Sequence, residues 1–397
     1  MVGGKGNAMS CPPLSGHLLR MNSFEQQILD VIQDAFPLTE RPYAVLAEKL
    51  GSDETTVFDA VEKMRASGVI RRIGGVYDSK KLGFISRLCA GKVPASSLDF
   101  SEEPHALTSM ESFATVVNDE PAITHNYIRS HEYNVWFTVI AENESAIQAV
   151  VDCVCAKTEL HDVHVLTATK KYKINTVMSL DERRGSAGSP TLTKDERGES
   201  ALALRHSETR SVEESRKFPG TLSEADRIRI HIACGDIPHS LTPFKDWGVS
   251  CDELRDDIDA KRMRRFGAIL RHQDAGFPCN AMVCFRIVDS RKLEVRCDNS
   301  DSRNVILSGD AAKNPVKSCD LIAQAGLILA TNPHISHCYE RPAFEGFPYN
   351  LYAMMHAPSA ELQSRYIEDA AKSIDNSNYV VLNSLRELKK TSFKFFA

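Results

Sequence analysis

At 397 residues the chain is longer than one hydrophobic core normally serves, so two or more domains are expected. Its hydrophobic content of 42% and charged content of 25% are globular, and no apolar run approaches the roughly 18 residues that a membrane span needs. The formal net charge of −5 offers no general attraction to a polyanion such as DNA. The 11 cysteines are scattered, never spaced as a CxxC pair, and point to reduced cytoplasmic thiols rather than a disulfide framework or a zinc site.

Residues 1–22 hold Gly, Ser and Pro without a continuous apolar stretch and read as a disordered tail, not a secretory signal. Residues 23–84 read as a winged helix-turn-helix. Phe24, Ile28, Leu29, Ile32 and Phe36 recur at helical spacing after a Ser cap, further helices follow at 42–50 and 54–66, and Gly51 and Gly68 act as stops. The β-rich stretch 69–76 and Gly83-Phe84 suggest a two-stranded wing. Across 85–178, segments 85–93, 113–117, 123–128, 135–140 and 163–174 alternate like strands, with a helix at 144–156. This order fits an antiparallel ferredoxin-like sheet covered on one face by helices. Residues 179–221 are Ser-, Gly- and charge-rich and read as a flexible linker.

The remainder repeats the first half. Ile70-Arg71-Arg72-Ile73-Gly74-Gly75-Val76 recurs as Met263-Arg264-Arg265-Phe266-Gly267-Ala268-Ile269, and Gly83-Phe84 as Gly276-Phe277. Ile123-Thr124-His125-Asn126-Tyr127-Ile128-Arg129 recurs as Ile335-Ser336-His337-Cys338-Tyr339-Glu340-Arg341, each followed by Tyr-Asn at Tyr133-Asn134 and Tyr349-Asn350. The expected fold class is therefore α+β, a pseudo-dimer of two tandem modules. The second comprises a winged helix-turn-helix at 222–277 and a ferredoxin-like domain at 278–397.

A winged helix followed by a ferredoxin-like domain resembles the Lrp/AsnC regulators, but the candidate recognition helices are acidic. Glu54, Asp59 and Glu62 face Lys63 and Arg65 in one copy, and Asp252, Glu253, Asp256, Asp257 and Asp259 outnumber Arg255, Lys261 and Arg262 in the other. DNA binding is disfavoured on that ground. The block Ser336-His337-Cys338-Tyr339-Glu340-Arg341-Pro342, then Pro348-Tyr349-Asn350-Leu351-Tyr352 and Met355-His356, is similar to the signature of siroheme decarboxylases.

That resemblance implies an enzyme that removes CO2 from two acetate side chains of siroheme, giving 12,18-didecarboxysiroheme for heme d1 or alternative heme biosynthesis. It implies no separate cofactor, because iron enters within the substrate. Both homologous subunits would be fused in one chain, with further homodimerisation open. Decarboxylation leaves an electron pair that must gain a proton, so His337 and His356 are candidate catalytic groups, and either suits an axial position on the iron. Arg341 joins them as a fork for substrate carboxylates, with His125, Arg129, Tyr127, Tyr339, Tyr349, Arg264 and Arg265 as further binding residues. His356 has Ile140 as its counterpart, so one competent site is expected, the first copy being degenerate or contributing across the interface. His334 reads as structural. The alternatives are a regulator sensing heme or another small ligand, and a tetrapyrrole carrier.

Overall fold

The computed structural model describes residues 21–93, 109–174, 222–271, 274–288 and 321–396. The linker and nearly all of the N-terminal tail lie outside these residues. The first helix, α1 (Ser23–Asp34), is capped by Asn22 rather than by a serine. Asn22 Oδ1 accepts from the Glu25 amide at 2.8 Å while Glu25 accepts from the Asn22 amide at 2.9 Å. Helices α2 (Pro42–Leu50) and α3 (Glu54–Ala66) follow, with Gly51 ending α2 at a φ of 65°.

Strand β1 (Ile70–Tyr77) forms no wing hairpin within its own module. It pairs with β7 (Met263–Leu270), the same segment of the second copy, antiparallel and in a two-stranded sheet. The apolar faces of both helix-turn-helix units, the second built from α6 (Glu224–Ala233), α7 (Pro243–Trp247) and α8 (Cys251–Asp259), close around this ribbon. Ile28, Leu29, Tyr43 and Leu46 thereby share one core with Ile230, Phe244, Leu254 and Phe266. The two units are one packed body, because neither alone covers its strand.

Below it, the first module supplies β2 (Ile85–Gly91), α4 (Ser109–Asp119), β3 (Ile123–Arg129), β4 (Val135–Ala141), α5 (Glu144–Thr158), β5 (Val163–Leu166) and β6 (Lys170–Ile174). The second supplies β8 (Cys279–Phe285), α9 (Leu321–Thr331), β9 (Ile335–Glu340), β10 (Leu351–Ala357), α10 (Ala360–Ser373) and β11 (Tyr379–Lys390). The strand expected at 113–117 is part of helix α4. Met110, Phe113 and Val117 lie on one helical face and pack against the sheet, a case where a short apolar run does not reveal its period.

The nine strands run β5-β2-β4-β3-β11-β8-β10-β9-β6. The last strand of each module changes sheets partway. Residues 379–383 of β11 pair with β8 and 384–390 with β3, just as β5 pairs with β2 while β6 pairs with β9. The outer faces pack under α4 and α5 or under α9 and α10. The inner faces meet each other, where Ala90, Trp136 and Leu166 pack with Met282, Cys284 and Tyr352.

Among the described residues no helix is long and apolar enough to cross a membrane. Seven described cysteines are free, as expected, but Cys279 is disulfide-bonded, against that expectation.

Candidate active site between the two sheets

Each copy of the repeated Ile-(Thr/Ser)-His segment carries a bulge. The register of β3 against β4 skips Thr124, and that of β9 against β10 skips Ser336. Ile123 and Ile335 stay under the helices. His125, Tyr127 and Arg129 then alternate onto the inner face of β3, as His337 and Tyr339 do on β9, with Arg341 just past its end. The bulged hydroxyls remain beside the rings they displaced: Thr124 Oγ1 lies 2.9 Å from His125 Nδ1 and Ser336 Oγ 2.9 Å from His337 Nδ1.

The second copy adds His356, whose Nε2 is 3.0 Å from the same Ser336 Oγ, while the Met354 carbonyl is more distant at 3.4 Å. A hydroxyl has one proton. If Ser336 donates to His337 it accepts from an N–H of His356, and in the other arrangement the roles exchange. When the hydroxyl proton goes to a ring rather than to the more distant Met354 carbonyl, the two imidazoles take coupled tautomers, one directing a bare nitrogen and the other an N–H away from the serine. The first copy has Ile140 at the position of His356 and cannot form this relay.

Burial is the main cause that lowers the proton affinity of all three rings, with Lys390 as the next. His337 is pushed down to about 4, and His125 and His356 to about 3. The rings are neutral near pH 7, as imidazole must be to ligate iron.

The arginines repeat as closely as the histidines. Arg129 lies over the Tyr127 ring at 5.0 Å and Arg341 over Tyr339 at 5.2 Å. Arg129 Nη1 donates to the Leu382 carbonyl at 3.0 Å, and Arg341 Nη1 to the matching Leu166 carbonyl at 2.6 Å. These carbonyls satisfy only part of each guanidinium. Among the described residues, neither Arg129 Nε nor Arg341 Nε has a hydrogen-bond partner, leaving donors for a ligand carboxylate.

The remaining expected residues separate. Arg264 lies at the margin, paired with Asp78 at 3.0 Å. Arg265 is turned away, donating to the carbonyls of Gln33 and of Ala268, the latter at 3.3 Å, and its work is structural. Tyr349 packs edge-on against Phe347 at 4.8 Å. Tyr133 is held by the Glu345 carbonyl at 3.2 Å. The asparagines of the Tyr-Asn pairs also have structural work: Asn134 brackets the amide and carbonyl of Val93, and Asn350 those of Ile287, at 2.8 to 2.9 Å. His334 stacks on Tyr366 at 3.5 Å, outside the relay. Sequence reasoning passed over Ser336 and Thr124, although both stood in the aligned repeat directly before a histidine. It also passed over Lys390, which looks like one more lysine at the end of a strand.

Comparisons with known proteins agree with this architecture. The family model for the siroheme decarboxylase NirDL-like HTH domain matches residues 25–71, and that for the AsnC-like ligand binding domain matches 81–173 and again 316–389. The chain is 28% identical over 385 residues to a siroheme decarboxylase of Hydrogenobacter thermophilus, covering 95% of this chain and 96% of that protein. It is 42% identical over 164 residues to a siroheme decarboxylase alpha subunit of Desulfovibrio desulfuricans, covering 41% of this chain and 87% of that subunit. The crystal structure of the siroheme decarboxylase NirDL superposes with a TM-score of 0.57 at 26% identity, covering 94% of both chains. A second structure of NirDL, in co-complex with an iron-uroporphyrin III analogue, matches with a TM-score of 0.57 at 25% identity, covering 94% of this chain and 95% of that one. With both modules fused in one polypeptide, the chain belongs to the siroheme decarboxylase family of carboxy-lyases.

Proposed function

We propose that this protein removes CO2 from the acetate side chains at C12 and C18 of siroheme, giving 12,18-didecarboxysiroheme for heme d1 or alternative heme biosynthesis in the cytoplasm. The observation that carries this reading is the relay of two neutral imidazoles on Ser336, set among stacked arginines with unused donors. A polycarboxylate iron tetrapyrrole needs both features, and the iron-uroporphyrin III analogue bound by NirDL is a ligand of that class. Iron arrives within the substrate, and no separate cofactor is required.

In this reading Arg341 and Arg129 take substrate carboxylates in bidentate fashion and set the ring's register. One of His337 and His356 turns its bare nitrogen to the iron. The other is positioned for the proton transfer. When the carbon–carbon bond to the carboxylate breaks, CO2 leaves and the electron pair stays on the CH2, delocalised into the macrocycle. A proton then converts CH2 to CH3. The imidazole holds no such proton in the empty site, but an incoming carboxylate raises its affinity for one, so the substrate itself charges the acid.

DNA binding forms no part of this reading. The cations of the candidate recognition helices are already committed: Lys63 to Glu25 at 2.7 Å, Arg65 to Asp236 at 3.3 Å and Arg255 to Asp252. The deciding experiment is anaerobic incubation of the purified chain with siroheme, followed by mass spectrometry. Two successive losses of CO2 are expected; siroheme recovered bound but unchanged would overturn the reading in favour of a sensor or carrier.

A further inference from the structure

The two arginines of the first repeated doublet point in opposite directions. Arg72 turns up to the Gly235 carbonyl at 3.0 Å in the helical body. Arg71 turns down to the sheets, where its Nη2 is 3.0 Å from Glu387 Oε1 and its Nη1 donates to the Lys390 carbonyl. Lys390 Nζ stands 4.0 Å from the other oxygen of Glu387. The three side chains are only 17 to 20% exposed. Strand register puts Glu387 opposite Tyr127 and Lys390 opposite His125, so this cluster borders the imidazoles.

Resting on the siroheme reading, we propose that Arg71 and Lys390 form a subsite for one carboxylate of the tetrapyrrole, with Glu387 standing in for that carboxylate in the empty protein. The charge balance favours it. Burial pushes the Lys390 ammonium down to about 8, and the Glu387 carboxylate beside it is shared with Arg71. The charge of Lys390 also opposes protonation of His125, His337 and His356. With Arg71 and Lys390 on the two oxygens of one carboxylate, this half-buried pair gains from an incoming carboxylate, through a charge-assisted contact shielded from water.

The subsite is one-sided. Across the pseudo-twofold, Ile174 stands opposite His337 where Lys390 stands opposite His125, so no lysine repeats at that level. The copy that lacks a counterpart of His356 is therefore also the one whose histidine faces the extra cation. A lysine on one side of the pseudo-twofold fixes the rotation of the macrocycle, and with it which acetate meets the Ser336 relay.

The test is titration of the full chain with siroheme, followed by the Soret band, for wild type, Lys390→Met, Lys390→Arg and Glu387→Gln. Lys390→Met is expected to weaken binding about tenfold, from the loss of one charge-assisted contact. Lys390→Arg should recover most of the affinity, and the dependence on sodium chloride should flatten in the Met variant. Glu387→Gln removes the internal competitor and should tighten binding severalfold, a direction that general damage to the fold does not produce. Unchanged affinity in Lys390→Met, or weaker binding in a folded Glu387→Gln, would overturn the subsite. CO2 release by wild type is scored separately. Lysine-dependent binding without CO2 release leaves the subsite standing and removes the decarboxylase reading, whereas CO2 release with lysine-independent binding does the reverse.

Discussion

The guanidinium of Arg341 lies over the ring of Tyr339, 5.2 Å from its centre, and this contact helps hold the fork where it can receive a carboxylate. Its anchorage on the Leu166 carbonyl comes from the other module, so the arginine is aimed only when the two sheets are joined. Replacing Arg341 by Ala should weaken siroheme binding about 10- to 100-fold, the span expected for a charge-assisted bidentate contact. Arg341→Lys should restore little, because an ammonium neither stacks nor forks. Equilibrium titration of the two variants decides this, and wild-type affinity in either would take Arg341 out of the site.

The histidines should divide unequally. His337 and His356 share Ser336, whereas His125 has, among the described residues, only its own Thr124 hydroxyl. Substituting Ala for His337 or His356 is expected to slow single-turnover CO2 release by about 10²- to 10⁴-fold, the usual weight of a positioned acid or base. His125→Ala should slow it less than about tenfold on the same scale. An equal loss in all three variants would mean that both copies serve the chemistry, contrary to the asymmetry created by Ile140.

The buried imidazoles also make the empty protein sensitive to acid. Each has a folded proton affinity below the ordinary value of 6.5, to about 4 for His337 and about 3 for His356. The unfolded chain therefore binds protons first. Stability contributed by the neutral rings is complete above pH 6.5 and is lost as pH falls towards 4 and 3, where the folded state begins to protonate as well. Urea midpoints of the ligand-free protein should fall between pH 7 and pH 5. His356→Ile, which installs the residue found at position 140, should make that fall shallower. A slope identical to wild type would show that His356 is not held neutral.

What the sequence revealed, and what it hid, follows from the range of each signal. The His, Tyr and Arg that share an inner face were visible, because residues two apart in a strand point the same way and the pattern occurs twice. The Tyr-Asn pair was visible as a motif, but not the work of its asparagines: Asn134 and Asn350 hold backbone. Pairing of β1 with β7, and of β6 with β9, left no trace in the sequence, since strands that exchange between modules alternate just as strands within one module do. Lys390 and Glu387 were hidden for the same reason. Their neighbours come from β1 and β3, more than 250 positions earlier in the chain.

The structural reading of the asparagines can be tested directly. Asn350→Ala leaves the amide and carbonyl of Ile287 without their side-chain partners, and should cost about 1–3 kcal/mol of stability. Asn350 also offers its backbone carbonyl to the Arg341 amide at 3.0 Å, so any catalytic effect should arise through a displaced arginine. Thermal unfolding is expected to drop while the pH profile of turnover keeps its shape. A shifted pH profile at unchanged melting temperature would instead make Asn350 part of the chemistry.

The joint between the helical body and the sheets gives the last prediction. Gly74 and Gly267 lie where each strand of the β1–β7 ribbon passes the carboxyl end of a helix belonging to the other module. A Cβ on Gly74 would stand 2.2 Å from the Gly235 carbonyl oxygen, and one on Gly267 2.6 Å from that of Ile32. Both obstacles are backbone, so neither can rotate away. Gly74→Ala and Gly267→Ala should each destabilise the protein by about 1–3 kcal/mol or more, the range for overpacking a well-filled site. The same crossing buries Arg72 and Arg265 against those helix ends, so the strain should be felt as a loosened contact between modules rather than as melting of one alone. Hydrogen exchange is the suitable measurement. Protection should fall in both β1 and β7 in either variant, because each strand is the other's sole partner in that ribbon. Loss confined to the mutated strand would mean that the modules fold independently and that the shared core is not what joins them.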